Sequence, residues 1–299
     1  MNTIVFPLPG GNSFAAQIAG AIGGELGVLD VHRFPDGETL VRLDSDASGH
    51  QVVLAGSLDH PDDKLMPLLF AASAARDLGA TRIVLVTPYL GYMRQDKRFR
   101  AGEAITSRTF AAIISAAVDG LVTVDPHLHR YHALDEIYRI PTRVVPSAPA
   151  IAQWVRDNVT NPLLIGPDAE SEQWVSAVAR DAGAPGMVLQ KTRRGDQDVV
   201  VSMPEVSAWL DRNPVLIDDI ISSGRTLIQA AASVRKAGFA PPVCIGVHAL
   251  FAQDAYKQLL ASEVSRVVTC DTVAHATNAI TLVAPLAGAL RELLAANPS

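Results

Sequence analysis

The stretch VLIDDIISSGRTL, residues 215–227, ends an apolar run in two adjacent carboxylates and passes straight into Ser-Ser-Gly. Burying Asp218 and Asp219 without partners is costly, and capping a helix needs one such residue, not two in a row. The run therefore reads as a strand that delivers acids to a ligand. Backbone N–H groups of the small-residue turn suit a phosphate, helped by the dipole of a helix beginning at Thr226. The hydroxyls of Ser222, Ser223 and Thr226 add donors, and the carboxylates accept from vicinal hydroxyls, directly or through a metal. The loop of Asp218, Asp219, Ser222, Ser223, Gly224, Arg225 and Thr226 is expected to hold a phosphorylated sugar at both ends.

Other constellations suit phosphate chemistry. In KTRRGDQDVVV (191–201), Lys191 and Arg193 lie two residues apart after a strand pattern, so in extended chain they point the same way. They can clamp transferring oxygens, although the same residues also suit a solvated basic turn. In PYLGYMRQDKRFRAGEAITSR (88–108), Arg94 suits phosphate, while Gln95 and Asp96 can read polar edges. Arg98, Arg100 and Arg108 serve phosphate or solvate a loop. RFPDGE (33–38) is a surface turn by its Pro-Asp-Gly, with Phe34 offering an aromatic face. His127, His129 and His132 are not expected to bind zinc, because no cysteine completes a four-ligand set.

Strands that alternate with alanine-rich helices must position these groups. Apolar runs at 50–58, 81–90, 121–127, 161–168, 186–192, 214–220, 242–251 and 266–272 read as strands. Helical patterns lie between them at 64–80, 106–120, 148–159, 171–184, 226–239 and 255–262, and a helix is expected to close the chain. Near-continuous Val/Ile/Leu strands imply mainly parallel sheets covered on both faces, an α/β fold. The restart after Pro141 and Pro146 predicts two similar domains, 1–144 and 145–299. The halves also echo each other: LVTVDPHLH and PVLIDDIIS both end a strand in Asp. Open sheets bind ligands beyond the carboxyl ends of their strands, which selects the loops after residues 90, 125, 168, 191 and 219.

The 299 residues are 48 % hydrophobic and 19 % charged, enough for large cores. The formal charge of −6 shows no basic excess of the kind that nucleic acid demands. No apolar run is long enough to span a bilayer, and the amino terminus lacks a signal-peptide pattern. Cys244 and Cys270 read as buried reduced thiols, so a cytoplasmic protein with neither membrane nor nucleic-acid partners is expected.

The loop at 218–226 resembles the one that binds 5-phosphoribosyl 1-diphosphate in phosphoribosyltransferases and in ribose-phosphate diphosphokinases. The rest of the chain resembles the diphosphokinases, in order and over nearly its whole length. Residues 88–108 resemble their nucleotide-binding stretch, RFPDGE their other ATP-contacting segment, and KTRRGDQDVVV their catalytic loop. DPHLH (125–129) and GPD (166–168) stand where that family has metal-binding residues, and CDTVAHATNAITLVAPLAGAL (270–290) matches its C-terminal pattern. The resemblance implies two phosphoribosyltransferase-like domains and the transfer of a diphosphoryl group from ATP to the C1 hydroxyl of ribose 5-phosphate. It implies Lys191 and Arg193 as catalytic residues, and Phe34, Asp36, Glu38, Arg94, Gln95 and Asp96 as ATP contacts. It also implies Mg²⁺ held with His127 and Asp168, and a homo-oligomer, since RFPDGE reaches a neighbouring subunit's site in that family. The chain departs from common members at Ser222 and Arg225, at Thr192 within the basic loop, and at Glu170 and Glu172 after GPD. A phosphoribosyltransferase and a non-catalytic regulatory homologue are the rival readings. Residues 88–108 argue against the first, and the retained catalytic and acidic residues argue against the second.

Overall fold

A computed structural model describes residues 2–194, 198–202 and 207–296; the side chains of residues 190–194, 198–202 and 207 lie outside the description. The chain forms two α/β units, Met1–Val145 with Val283–Ser299, and Pro146–Leu282.

In the first unit, β1 (Thr3–Pro7), α1 (Asn12–Ile22) and β2 (Glu25–Leu26) precede a hairpin of β3 (Leu29–Arg33) and β4 (Thr39–Leu43). Then follow β5 (Gln51–Ala55), α2 (Pro61–Asp77), β6 (Arg82–Thr87), α3 (Thr106–Ala117), β7 (Gly120–Val124) and β8 (Thr142–Val145). Six strands pair in parallel in the order β2-β1-β5-β6-β7-β8. Every residue of β5, β6 and β7 is buried, as continuous apolar strands with both faces covered must be. The core gathers Phe6, Leu54, Leu85 and Leu121 from the sheet with Leu68, Phe110 and Ile114 from the helices.

The second unit holds α4 (Ala148–Asn158), β9 (Pro162–Gly166), α5 (Glu172–Ala182), β10 (Gly186–Val188), β11 (Gln190–Arg194) and β12 (Asp198–Ser202). It continues with β13 (Asn213–Ile221), α6 (Arg225–Lys236), β14 (Val243–Ala249), α7 (Ala255–Ala261), β15 (Arg266–Cys270) and β16 (Asn278–Ile280). Its sheet is again parallel and six-stranded, in the order β10-β9-β13-β14-β15-β16. In α6 the buried residues Leu227, Ala230, Ala231 and Val234 recur at the spacing of one helix face, over Leu163, Ile165 and Leu216.

Several expectations are corrected. The boundary falls between Val145 and Pro146, and the closing helix α8 (Val283–Ala295) packs on α1, β7 and β8 of the first unit, not on the half that precedes it in sequence. Leu286, Leu290 and Leu293 are buried, and such an apolar stripe takes whichever sheet face covers it. The duplication is real in topology, but the echoing motifs are not equivalent. By sheet order β13 corresponds to β5, while β7 corresponds to β15. The expected strand at 186–192 is two: β10 joins the large sheet, whereas β11 pairs antiparallel with β12. Helix α2 begins at Pro61, three residues before the apolar pattern, because proline suits a first helical turn. No helix among the described residues is long and apolar enough to cross a membrane.

Candidate active site

Three acids meet at the carboxyl edge of the second sheet. Strand β13 carries Asp218 and Asp219 near its end, and Asp168 follows the neighbouring β9. Asp219 is 7 % exposed. Burial, then the charges of Asp219 and Asp168, push the Asp218 carboxyl well above the usual carboxylate range. Burial, then the charge of Asp218, pushes the Cys244 thiol in the neighbouring β14 up to about 12. Both cysteines are buried thiols.

Asp168 is held by a reciprocal capping turn. Its carboxylate accepts from the Glu170 N–H at 3.2 Å, while the Ser171 hydroxyl donates to the Asp168 carbonyl at 2.5 Å. Gly166 makes room for this turn, since a Cβ there would lie 2.4 Å from Ser171 Oγ. The side chains of Glu170 and Glu172 are exposed, so solvent screens their repulsion of an anion.

Beyond the acids the chain turns through Ser222 and Ser223 to Gly224, whose φ of 70° is left-handed and suits glycine. Helix α6 starts at Arg225, one residue before its expected start, and no side chain caps it. Its first-turn N–H groups are thus directed to whatever binds there. The loop after β14 supports the turn from behind: Phe251 N–H donates to Ile221 O at 2.9 Å and Ala252 N–H to Ser222 O at 3.0 Å. This support was not legible in sequence.

The first unit offers a second carboxyl edge. Tyr92, Asp125 and His127 there have φ values of 63°, 31° and 55°, strained for residues other than glycine, and such strain gathers at functional edges. Arg94 and Gln95 are exposed, and Gln95 Oε1 accepts from the Thr106 hydroxyl at 2.5 Å. Asp96, expected as an ATP contact, is buried and paired with Arg130, Nε to Oδ1 3.2 Å. Tyr92 donates its hydroxyl to Asp62, which raises its pKa to about 12. His127 packs edge-on against His129 with ring centroids 4.1 Å apart. Arg130, Tyr131 and Tyr92 were not foreseen as site residues, and the only sequence signal was that they stand within the two strand-end loops.

Phe34, Asp36 and Glu38 sit exposed at the tip of the β3–β4 hairpin. Phe34 N–H donates to Glu38 O at 2.8 Å, and Asp36 Oδ1 accepts from Glu38 N–H at 3.2 Å, so Asp36 also shapes the turn. Lys191 and Arg193 lie on extended backbone in β11, as expected, and their side chains lie outside the described residues. A cavity of about 1090 Å³ in the first unit opens at the amino ends of the strands, beside Gln51, Arg82 and Pro141. That is the edge opposite to the one where open α/β sheets bind substrates.

A model of the N-terminal domain of ribose phosphate pyrophosphokinase matches residues 3–117, and a phosphoribosyl transferase domain model matches residues 133–285. The chain is 30 % identical to a ribose-phosphate pyrophosphokinase of Methanopyrus kandleri over 292 residues, covering 97 % of this chain and 99 % of that one. It is 32 % identical over 280 residues to a protein of the same name from Halobacterium salinarum, covering 93 % and 97 %. The crystal structure of phosphoribosylpyrophosphate synthetase from Mycobacterium smegmatis superposes with a TM-score of 0.84 at 21 % identity, covering 98 % of this chain and 99 % of that one, which shows the shared fold.

Proposed function

The chain belongs to the ribose-phosphate pyrophosphokinase family, and on that premise we propose how its residues move the diphosphoryl group of ATP to the C1 hydroxyl of ribose 5-phosphate. The products are 5-phosphoribosyl 1-diphosphate and AMP. The observation that carries this reading is the set of Asp168, Asp218 and Asp219 beside the uncapped start of α6.

The 5-phosphate rests on the first-turn N–H groups of α6 with the hydroxyls of Ser222, Ser223 and Thr226. Exposed Arg225 adds charge at the same turn. Asp218 and Asp219 accept from the ring hydroxyls and so orient C1. The C1 hydroxyl then gives up its proton to solvent as its oxygen forms a bond to the β-phosphorus of ATP, the bond from that phosphorus to the α–β bridging oxygen breaks, and AMP leaves with that oxygen. This chemistry needs position and positive charge more than covalent catalysis. Lys191 and Arg193 supply the charge as the diphosphoryl group moves. Arg94 and Gln95 hold the nucleotide, with Asp96 anchoring their loop.

The acids fit Mg²⁺: they are oxygen donors whose mutual repulsion a cation relieves. Asp168 is the expected ligand, and Asp218 and Asp219 join it. His127 enters only through the family resemblance, because nitrogen suits Mg²⁺ less well. When bound, the ion neutralises phosphate charge and polarises the phosphoryl oxygens. The hairpin carrying Phe34, Asp36 and Glu38 contributes to a nucleotide site of a neighbouring subunit. Exposed apolar residues on this hairpin and on α2, Phe34, Leu40, Met66 and Phe70, support a homo-oligomer. ATP as a substrate and buried thiols favour the cytoplasm.

A coupled assay for AMP tests the reading. AMP should appear in step with 5-phosphoribosyl 1-diphosphate only when ATP, ribose 5-phosphate and Mg²⁺ are all present, and should stop in excess chelator. Consumption of the diphosphate with a free base would support a phosphoribosyltransferase instead, and no turnover in either direction a regulatory homologue.

A further inference from the structure

We propose that Arg130 is a positioning residue for nucleotide use, acting through Asp96 on the exposed pair Arg94 and Gln95. The proposal rests on the nucleotide role given above to residues 94–96. Asp96 is anchored at both ends. Its carboxylate, on a side chain only 7 % exposed, meets Arg130 Nε at 3.2 Å. Its carbonyl accepts from the Tyr131 hydroxyl at 3.5 Å. Tyr131 is itself buried, and its hydroxyl oxygen accepts from Arg108 Nε at 3.4 Å and lies 3.2 Å from Ser107 Oγ, both in the first turn of α3. Gln95 is tied to the same turn, since its carbonyl oxygen accepts from Ser107 N–H at 3.3 Å and its side chain from Thr106.

One small hub therefore joins the loop after β6, the start of α3 and the loop after β7. A carboxylate this buried is costly without a cation, so Asp96 cannot keep this place once Arg130 is lost. Arg94 and Gln95 immediately precede it in the loop after β6, so where Asp96 is held constrains how they are presented. A carboxylate occupied by Arg130 and turned inward is poorly placed to read a base edge, so its effect on the nucleotide passes through the loop.

The test is a double-mutant cycle of Arg130→Gln and Asp96→Asn, with Arg130→Lys as the conservative variant. KM for ATP, KM for ribose 5-phosphate, kcat and thermal melting are measured for each. Arg130→Gln should raise KM for ATP roughly tenfold, mid-range for coupled contacting residues, and leave KM for ribose 5-phosphate within about twofold. The double variant should be no worse than the poorer single, and Arg130→Lys should recover most of the loss. Multiplying effects in the double variant would mean that Asp96 meets the nucleotide independently, and would overturn the proposal. So would an unchanged KM for ATP, or a parallel rise in both KM values with a falling melting temperature. Calorimetric titration of ATP alone onto the same folded variants reads the effect of Arg130 even if the wild type makes no product, which separates failure of this inference from failure of the proposed reaction.

Discussion

Replacing Gly166 by alanine should damage the acidic site from beneath. The new Cβ would lie 2.4 Å from Ser171 Oγ, with Val175 Cγ2 at 3.1 Å and Val188 Cγ2 at 3.3 Å. Ser171 cannot simply rotate away, because its hydroxyl donates to the Asp168 carbonyl and closes the turn that holds Asp168. Overpacking of this kind costs about 1–3 kcal/mol, and loss of the hydrogen bond adds about 0.5–1.5 kcal/mol. Together they cost about 1.5–4.5 kcal/mol, or roughly 5–14 °C in melting temperature at about 3 °C per kcal/mol. Removing the hydroxyl should relieve the clash, so Gly166→Ala/Ser171→Ala should melt higher than Gly166→Ala alone, though below wild type. Both variants should need more Mg²⁺ for half-maximal AMP production, because Asp168 loses its turn in each. Thermal melts of the three proteins and Mg²⁺ titrations of activity decide the matter. A Gly166→Ala protein within about 0.5 kcal/mol of wild type, or a double variant no more stable than the single, would refute the packing argument.

Asp218→Asn tests the crowded acids through pH. A carboxyl raised in the folded state favours folding fully below its ordinary value near 3.8 and loses that contribution as pH rises through its folded value. At pH 7.5 without divalent cation the variant should therefore melt above wild type, near pH 4 the gain should vanish, and Mg²⁺ should stabilise wild type more than the variant; an equal gain at both pH values would contradict the electrostatic cause. Lys191→Ala should cut kcat roughly a hundred- to thousand-fold, by analogy with the loss of one oxyanion donor, while both KM values stay within about threefold. Steady-state kinetics showing less than a threefold loss in kcat would remove Lys191 from the transition state. Glu38→Ala should raise KM for ATP and leave KM for ribose 5-phosphate unchanged, and sedimentation should find the active species to be at least a dimer. Full activity from a strict monomer would exclude a hairpin that acts across subunits.

The local structure of the candidate site was legible because it is written in short-range pattern. An apolar run, two acids, small residues and an amphipathic helix sit within 24 residues, 213–236, and local geometry turns them into strand, turn and helix with little help. The Pro-Asp-Gly hairpin tip and the parallel strands follow the same logic, since periodicity and turn chemistry act over a few residues. Tertiary structure alone decided what depends on contacts distant along the chain. Asp96 and Arg130 meet 34 residues apart. Asp168 reaches the Asp pair only because β9 lies beside β13 in the sheet. The closing helix joins the first unit, although the order of the chain assigns it to the second. A carboxylate reads alike in sequence whether a cation, another acid or water lies beside it. Sheet order and packing decide which of these it meets: Asp96 meets the cation of Arg130, and Asp218 crowds with other acids at the carboxyl edge of a sheet.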